Sequence, residues 1–269
     1  MKKILLPESH IIFNYFPELE KQTISMYEFR NRTHSKLKTI YDESDKFILQ
    51  KEIQSPEHVN WRYPIMTPYY IKDDVKDKHV LSIGSRFGEI CEGLSRYAKK
   101  ITSVEVDPNI YYTEQRLILE NKRKFKCERS VLNKNVMDMI NFDEIEVVYS
   151  YTGFEIDIKI LNHLASHINK KIDIYFGVPQ EEGKLKNYLK NIKDFSNKNK
   201  CTVDYVPILW DESQNYQLKY DSGLSHNPIQ FPITLATPMT SKIDSIWDRT
   251  EMFDNQCGVF LLLKITINE

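Results

Sequence analysis

The sequence has no surplus of either charge sign: 37 Lys and Arg stand against 38 Asp and Glu, for a formal net charge of −1. Chains built to hold nucleic acid usually carry an excess of Lys and Arg, so a nucleic-acid partner is not expected, although a balanced total leaves room for a local patch. No apolar stretch approaches the ~18 uninterrupted residues of a membrane helix. The opening MKKILLPESH has two lysines, but its apolar run stops at Pro7 and Glu8, too soon for a signal peptide. A soluble, cytoplasmic protein with no membrane partner is the expectation. The four cysteines, Cys91, Cys127, Cys201 and Cys257, form no C-x-x-C pair. Buried thiols in a reducing compartment explain them better than a disulfide framework or zinc. Internal repeats and low-complexity tracts are also lacking. What is present is material for a core, with 41% hydrophobic and 12% aromatic residues.

From residue 79 onward, strand-like and helix-like segments alternate. HVLSI is a compact apolar strand, after which Ile90, Leu94, Tyr97 and Ala98 recur at helical spacing. ITSVEV is a second strand, and Pro108 opens a helix carried by Ile110, Leu117 and Ile118. KFKCERSV, IEVVYSY, KIDIYFGVP, CTVDYVPIL and CGVFLLLKITI supply five more strands. Ile160, Leu161, Leu164 and Ile168 mark one intervening helix, and Leu185, Leu189, Ile192 and Phe195 another, lysine-studded one over 181–200. This order indicates βαβ units, hence an α/β fold with a doubly wound, mostly parallel sheet covered on both faces. Two regions break the rhythm. Residues 1–70 read as an N-terminal, partly helical cap, and 71–269 as the core. Within that core, residues 209–256 form an insert between the last two strands, far longer than ordinary loops and rich in Trp and Tyr. It is expected to act as a substrate lid.

The glycine turn after the first strand narrows the chemistry by what it omits. A dinucleotide fingerprint, G-x-G-x-x-G, needs glycine at 84, 86 and 89, but Arg86 and Glu89 occupy the latter two. No G-x-x-x-x-G-K-[ST] string exists, which removes phosphoryl transfer by a P-loop. What remains is Gly84-Ser85-Arg86-Phe87-Gly88 running into a helix, with Glu105 in SVEVDP at the end of the next strand. This arrangement resembles the class I S-adenosylmethionine-dependent methyltransferases, whose first motif is a strand entering a G-x-G-x-G turn and whose second strand ends in an acid. The resemblance covers roughly the last 190 residues, by order of elements.

It implies a Rossmann-like seven-stranded sheet with an antiparallel last strand, and S-adenosyl-L-methionine as cofactor. It further implies that Ser82, Gly84, Ser85, Arg86, Phe87 and Gly88 line the methionine side of the slot, while Glu105 accepts both ribose hydroxyls beside Val106. Asn135 and Val136 in VLNKNVMDM match the adenine contact, with Asp138 one register away. Ser150 and Tyr151, in YSYTGF, match the strand end beneath the methyl group. The family's acid two residues before the first glycine is Ser82 here, and its middle glycine is Arg86.

The implied activity is methyl transfer to an oxygen or nitrogen of a small molecule. His226 in the insert and Tyr151 are the candidate catalytic bases for a hydroxyl acceptor. An RNA methyltransferase, an aminocarboxypropyl transferase on the same fold and a non-catalytic cofactor-binding homologue are the alternatives. The strand end lacks the D/N-P-P-Y/F motif of enzymes that methylate exocyclic base amines. HLASH sets His163 and His167 one helical turn apart, but Leu164 replaces the glutamate of a zinc protease. No metal is expected there.

Overall fold

A computed structural model describes residues 11–22, 67–68, 70–85, 88–120, 125–150, 156–178, 182–211 and 257–267. The chain divides into two compact units. One comprises Met1–Met66, Gln180–Lys186 and Pro207–Leu261; the other comprises Thr67–Pro179, Asn187–Val206 and Leu262–Glu269.

In the first unit, the described part of the expected cap consists of two 3-10 turns, Ile11–Asn14 and Pro17–Gln22. Ile12, Phe13, Phe16 and Leu19 are buried, and Phe16 N donates to Ile12 O at 2.9 Å. Residues 212–256, which hold most of the expected lid, lie outside the described residues.

The sheet has seven strands: β1 His79–Ile83, β2 Lys100–Glu105, β3 Glu128–Asn133, β4 Val147–Ser150, β5 Ile172–Gly177, β6 Thr202–Asp211 and β7 Cys257–Ile267. Their spatial order is β3-β2-β1-β4-β5-β7-β6, and β7 runs antiparallel to β5. The helices are α1 Lys72–Val75, α2 Glu89–Leu94, α3 Pro108–Leu119, α4 Ile158–His167 and α5 Glu182–Asn199. β1 is buried at all five positions, as a central parallel strand covered on both faces must be.

Parallel register puts Arg129, Ile101, Val80, Val147 and Asp173 in one row and Val131, Ser103, Ser82, Tyr149 and Tyr175 in the row two residues on, so both point to the same face. Helices α1 and α3 meet that face, through the Tyr175–Asp74 hydrogen bond and the Arg129–Glu114 ion pair. The opposite face takes α5, whose Tyr188 ring meets Phe176 edge-on at 6.2 Å between centroids. The direction in which strands are added reverses between the parallel pair β1 and β4, since the chain steps outward from β1 to β3 and then returns to the other side. The strand carboxyl ends flanking that reversal are where open α/β sheets bind ligands.

Candidate cofactor site at the strand ends

The turn after β1 folds over the end of β2. Gly84 has φ +67°, in the left-handed region that glycine enters without steric cost. Its N–H donates to Val104 O at 2.9 Å, which lays the turn directly beside Glu105. Gly88, at φ +80°, caps α2. Its own N–H donates to Ser85 O, and its carbonyl accepts from Glu92 N, so the turn closes on itself before the helix starts.

Glu105 ends β2 with only 6% exposure. Its Oε1 accepts from Asp107 N at 3.1 Å. Asp107 is also the N-cap of α3, accepting from Asn109 N at 2.8 Å, with Pro108 in the first turn. Asn133, at the end of β3, donates from Nδ2 to Glu105 O at 2.8 Å and to Val106 O at 3.3 Å. The backbone that presents the carboxylate is thus tied to β3 as well as to β1. Asn133 was not singled out from the sequence; the hint was an amide at the end of a strand, where loose carbonyls need a donor.

The segment after β3 turns at Asn135, whose Oδ1 accepts from Met137 N at 3.0 Å and caps a short 3-10 turn, Val136–Asp138. Val136 is packed inside, whereas Val106, Met137 and Ile140 are exposed apolar side chains. Ser150 is buried at the end of β4. Ser82 is fully buried in β1, and its Oγ has no hydrogen-bond partner among the described residues. Arg86, Phe87, Tyr151 and His226 lie outside the described residues.

Beneath the turn is a buried charge pair that sequence reading missed. Glu114 of α3 has no exposed surface, and Arg129 of β3 keeps only 6% of its side chain exposed. The two form an ion pair, and Ser85 Oγ donates to Glu114 Oε2 at 3.0 Å. Arg129 Nη2 also donates to Ser103 Oγ at 3.3 Å, and the guanidinium lies 3.7 Å from the centroid of the Phe125 ring. The signal was available. Glu114 shares a helical face with Ile110 and Leu117, and an acid at an inward position requires a buried partner.

The histidine pair sits elsewhere, on α4. His163 Nε2 donates to Met139 O at 2.7 Å and His167 Nδ1 to His163 O at 2.9 Å, so one ring nitrogen of each is spent on a backbone carbonyl. Among the described residues, no group of three or more His, Cys, Asp and Glu could hold a metal. No described helix is long and apolar enough to cross a membrane.

No family model matches the chain. The chain is 23% identical over 118 residues to the ribosomal RNA small subunit methyltransferase A of Wigglesworthia glossinidia brevipalpis. The match covers 42% of this chain and 43% of that relative, so the chain spans less than half the length of the curated protein it matches. Among solved structures it resembles a candidate RNA methyltransferase of Pyrococcus horikoshii, with a TM-score of 0.50 and 12% identity over 86% of this chain and all of the other. TYW2 of M. jannaschii, solved in complex with AdoMet, gives a TM-score of 0.46 and 12% identity, covering 79% of this chain and 78% of that one.

The sequence relative corrects the expectation that nucleic acid is not a partner, because it is itself an enzyme of ribosomal RNA. Net charge misled because it averages over the whole surface: α5 alone carries five lysines against two acidic residues in a chain of net charge −1. The strand order with its antiparallel β7, the glycine turn over β2 and the acid at the end of β2 give one answer. The chain has the seven-stranded, Rossmann-like fold of the class I S-adenosylmethionine-dependent methyltransferases.

Proposed function

We propose that the protein is an S-adenosylmethionine-dependent methyltransferase whose methyl acceptor is RNA. The observation that carries the cofactor half of this reading is the packing of the Gly84 turn onto Val104 O, beside the buried Glu105 carboxylate. The residues present suit an adenosyl ligand. A carboxylate at a strand end can accept both ribose hydroxyls, a charge-assisted arrangement. A residue without a side chain leaves space at the bend. Val106 and Met137 offer exposed apolar contacts to a base, next to the polar Asn135 and Asp138. No phosphate cradle is needed, which agrees with the missing second and third glycines of a dinucleotide site.

When bound, S-adenosylmethionine supplies a methyl group made electrophilic by its sulfonium. The chain's task is alignment and exclusion of water, because displacement requires the acceptor in line with the carbon–sulfur bond. Glu105 would fix the ribose, the Gly84 turn the methionine portion, and Ser150 the floor beneath the reacting end. Asn133 would hold the Glu105–Val106 backbone against β3. The RNA half of the reading is supported by the ribosomal RNA methyltransferase relative and by the lysine-bearing α5.

The test is transfer of labelled methyl from S-adenosylmethionine to ribosomal RNA lacking modification, measured against a panel of small hydroxyl and amine acceptors. Label should enter RNA, and RNA binding should weaken steeply with salt as phosphate contacts require. Cofactor binding with label entering only small molecules would overturn the RNA half.

A further inference from the structure

We infer that Ser85, Glu114 and Arg129 form a positioning device for the cofactor turn: they set its geometry, and through it cofactor affinity, without touching the ligand. This rests on the cofactor reading above. Three observations carry it. The Ser85 hydroxyl is spent inward on Glu114, and Ser85 has no exposed surface with which to meet a ligand. Gly88 packs against the same pair: a Cβ there would overlap Glu114 Oε1 and stand 3.1 and 3.2 Å from the Arg129 Nη atoms. The turn is therefore anchored to the pair at both described ends, Ser85 and Gly88.

Third, α3 carries both halves of the slot. At its N-terminus, Asp107 caps the helix and its N–H orients Glu105; farther along, Glu114 anchors the turn. A single helix, rigid at 1.5 Å per residue, thus fixes the spacing between the ribose acid and the glycine turn. A buried ion pair gives little net stability relative to well-packed apolar residues. What it supplies here is direction: a carboxylate that accepts along set lines from Ser85 and Arg129. Arg129 Nε and Nη1 have no hydrogen-bond partner among the described residues, so the guanidinium is oriented by Glu114, Ser103 and the Phe125 ring.

The experiment compares the full chain with Ser85→Ala, Glu114→Gln/Arg129→Met and the triple variant. Each is titrated calorimetrically with S-adenosylmethionine and with its demethylated product, alongside kcat and KM for the cofactor and the melting temperature. Ser85→Ala should raise Kd and KM for the cofactor about tenfold, the ~1.4 kcal/mol of one lost bond to a charged group, with kcat at saturation unchanged. In the triple variant, the Ser85 change should add little further, since the amide oxygen left at 114 is uncharged and no longer held by Arg129. Ser85→Ala binding the cofactor as tightly as the parent, a fall in kcat at unchanged KM, or fully additive effects would overturn the inference. Should Glu114→Gln/Arg129→Met fail to fold, Ser85→Ala decides alone. A parent chain that binds neither ligand would overturn the cofactor reading itself, and this inference with it, which is a distinct result from parent and Ser85→Ala binding alike.

Discussion

Replacing Gly88 by alanine adds one methyl group and should be among the most damaging small changes in the core unit. Two costs add. At φ +80°, an L-residue is strained by about 1–2 kcal/mol relative to glycine. The new methyl must also displace the Glu114 carboxylate, which has no exposed surface into which to retreat. Moving it disturbs either the Ser85 bond or the Arg129 pair, and leaving one buried partner short costs about 1–3 kcal/mol. The sum is about 2–5 kcal/mol, a sizeable share of the ~5–15 kcal/mol that holds a typical domain together. Urea denaturation followed by far-ultraviolet circular dichroism measures it directly. Gly183→Ala is the control: nothing lies within 4 Å of a Cβ at that position in the first turn of α5, and the change should be neutral or stabilising by up to ~0.5 kcal/mol. Gly88→Asn separates the two costs, since asparagine tolerates the left-handed region but still carries the colliding carbon. A Gly88→Ala protein within about 0.5 kcal/mol of the parent would refute the packing of Glu114 against the turn.

Burial lowers the pKa of His79, with Lys100 adding to the effect and Glu144, Glu128 and Glu146 opposing it. Its unfolded state therefore binds a proton more readily than its folded state, so the contribution of His79 to stability is present above its ordinary pKa of 6.5 and is lost as pH falls below it. His79→Gln should show a smaller drop in melting temperature between pH 7.5 and 5 than the parent; an equal drop would exclude His79 as a source. Tyr175 donates to Asp74 Oδ2 at 2.5 Å, and burial, helped by that bond and by nearby carboxylates, holds its phenol far above the ordinary range. Tyr175→Phe should cost about 0.5–1.5 kcal/mol, the low end being favoured because Asp74 is 43% exposed. The phenolate absorbance that develops up to pH 11 should be the same in the parent and in Tyr175→Phe, and a larger rise in the parent would contradict the burial of Tyr175.

How much could be read in advance depended on how strongly each segment was constrained. HVLSI and CGVFLLLKITI are largely apolar runs, and β1 and β7 fall on those residues. The third strand was expected over KFKCERSV and lies at Glu128–Asn133. It is an edge strand with no fully buried residue, so it has no strong alternation, and Phe125 takes a different post, against the Arg129 guanidinium. The helix after β1 was expected to run through Ala98 but ends at Leu94, where Ser95 Oγ turns back to Glu92 O at 2.8 Å. Ile90, Leu94 and Ala98 are buried all the same. At the site, Gly84 and Glu105 stood out because a bend and a strand-end acid are local signals. For Glu114 and Asn133, an inward-facing acid and a strand-end amide signal only the need for a partner; which residues meet, Arg129 among them, is fixed across elements, once α3 packs over β2 and β3.

The most direct measurement is a calorimetric titration of S-adenosylmethionine into the unmodified chain and into Glu105→Ala. A ribose held by that carboxylate predicts one-to-one uptake by the former and affinity about ten- to a hundredfold weaker in the latter, the ~1.5–3 kcal/mol of charge-assisted bonds. Equal affinities, or no heat with the unmodified chain, would contradict the account.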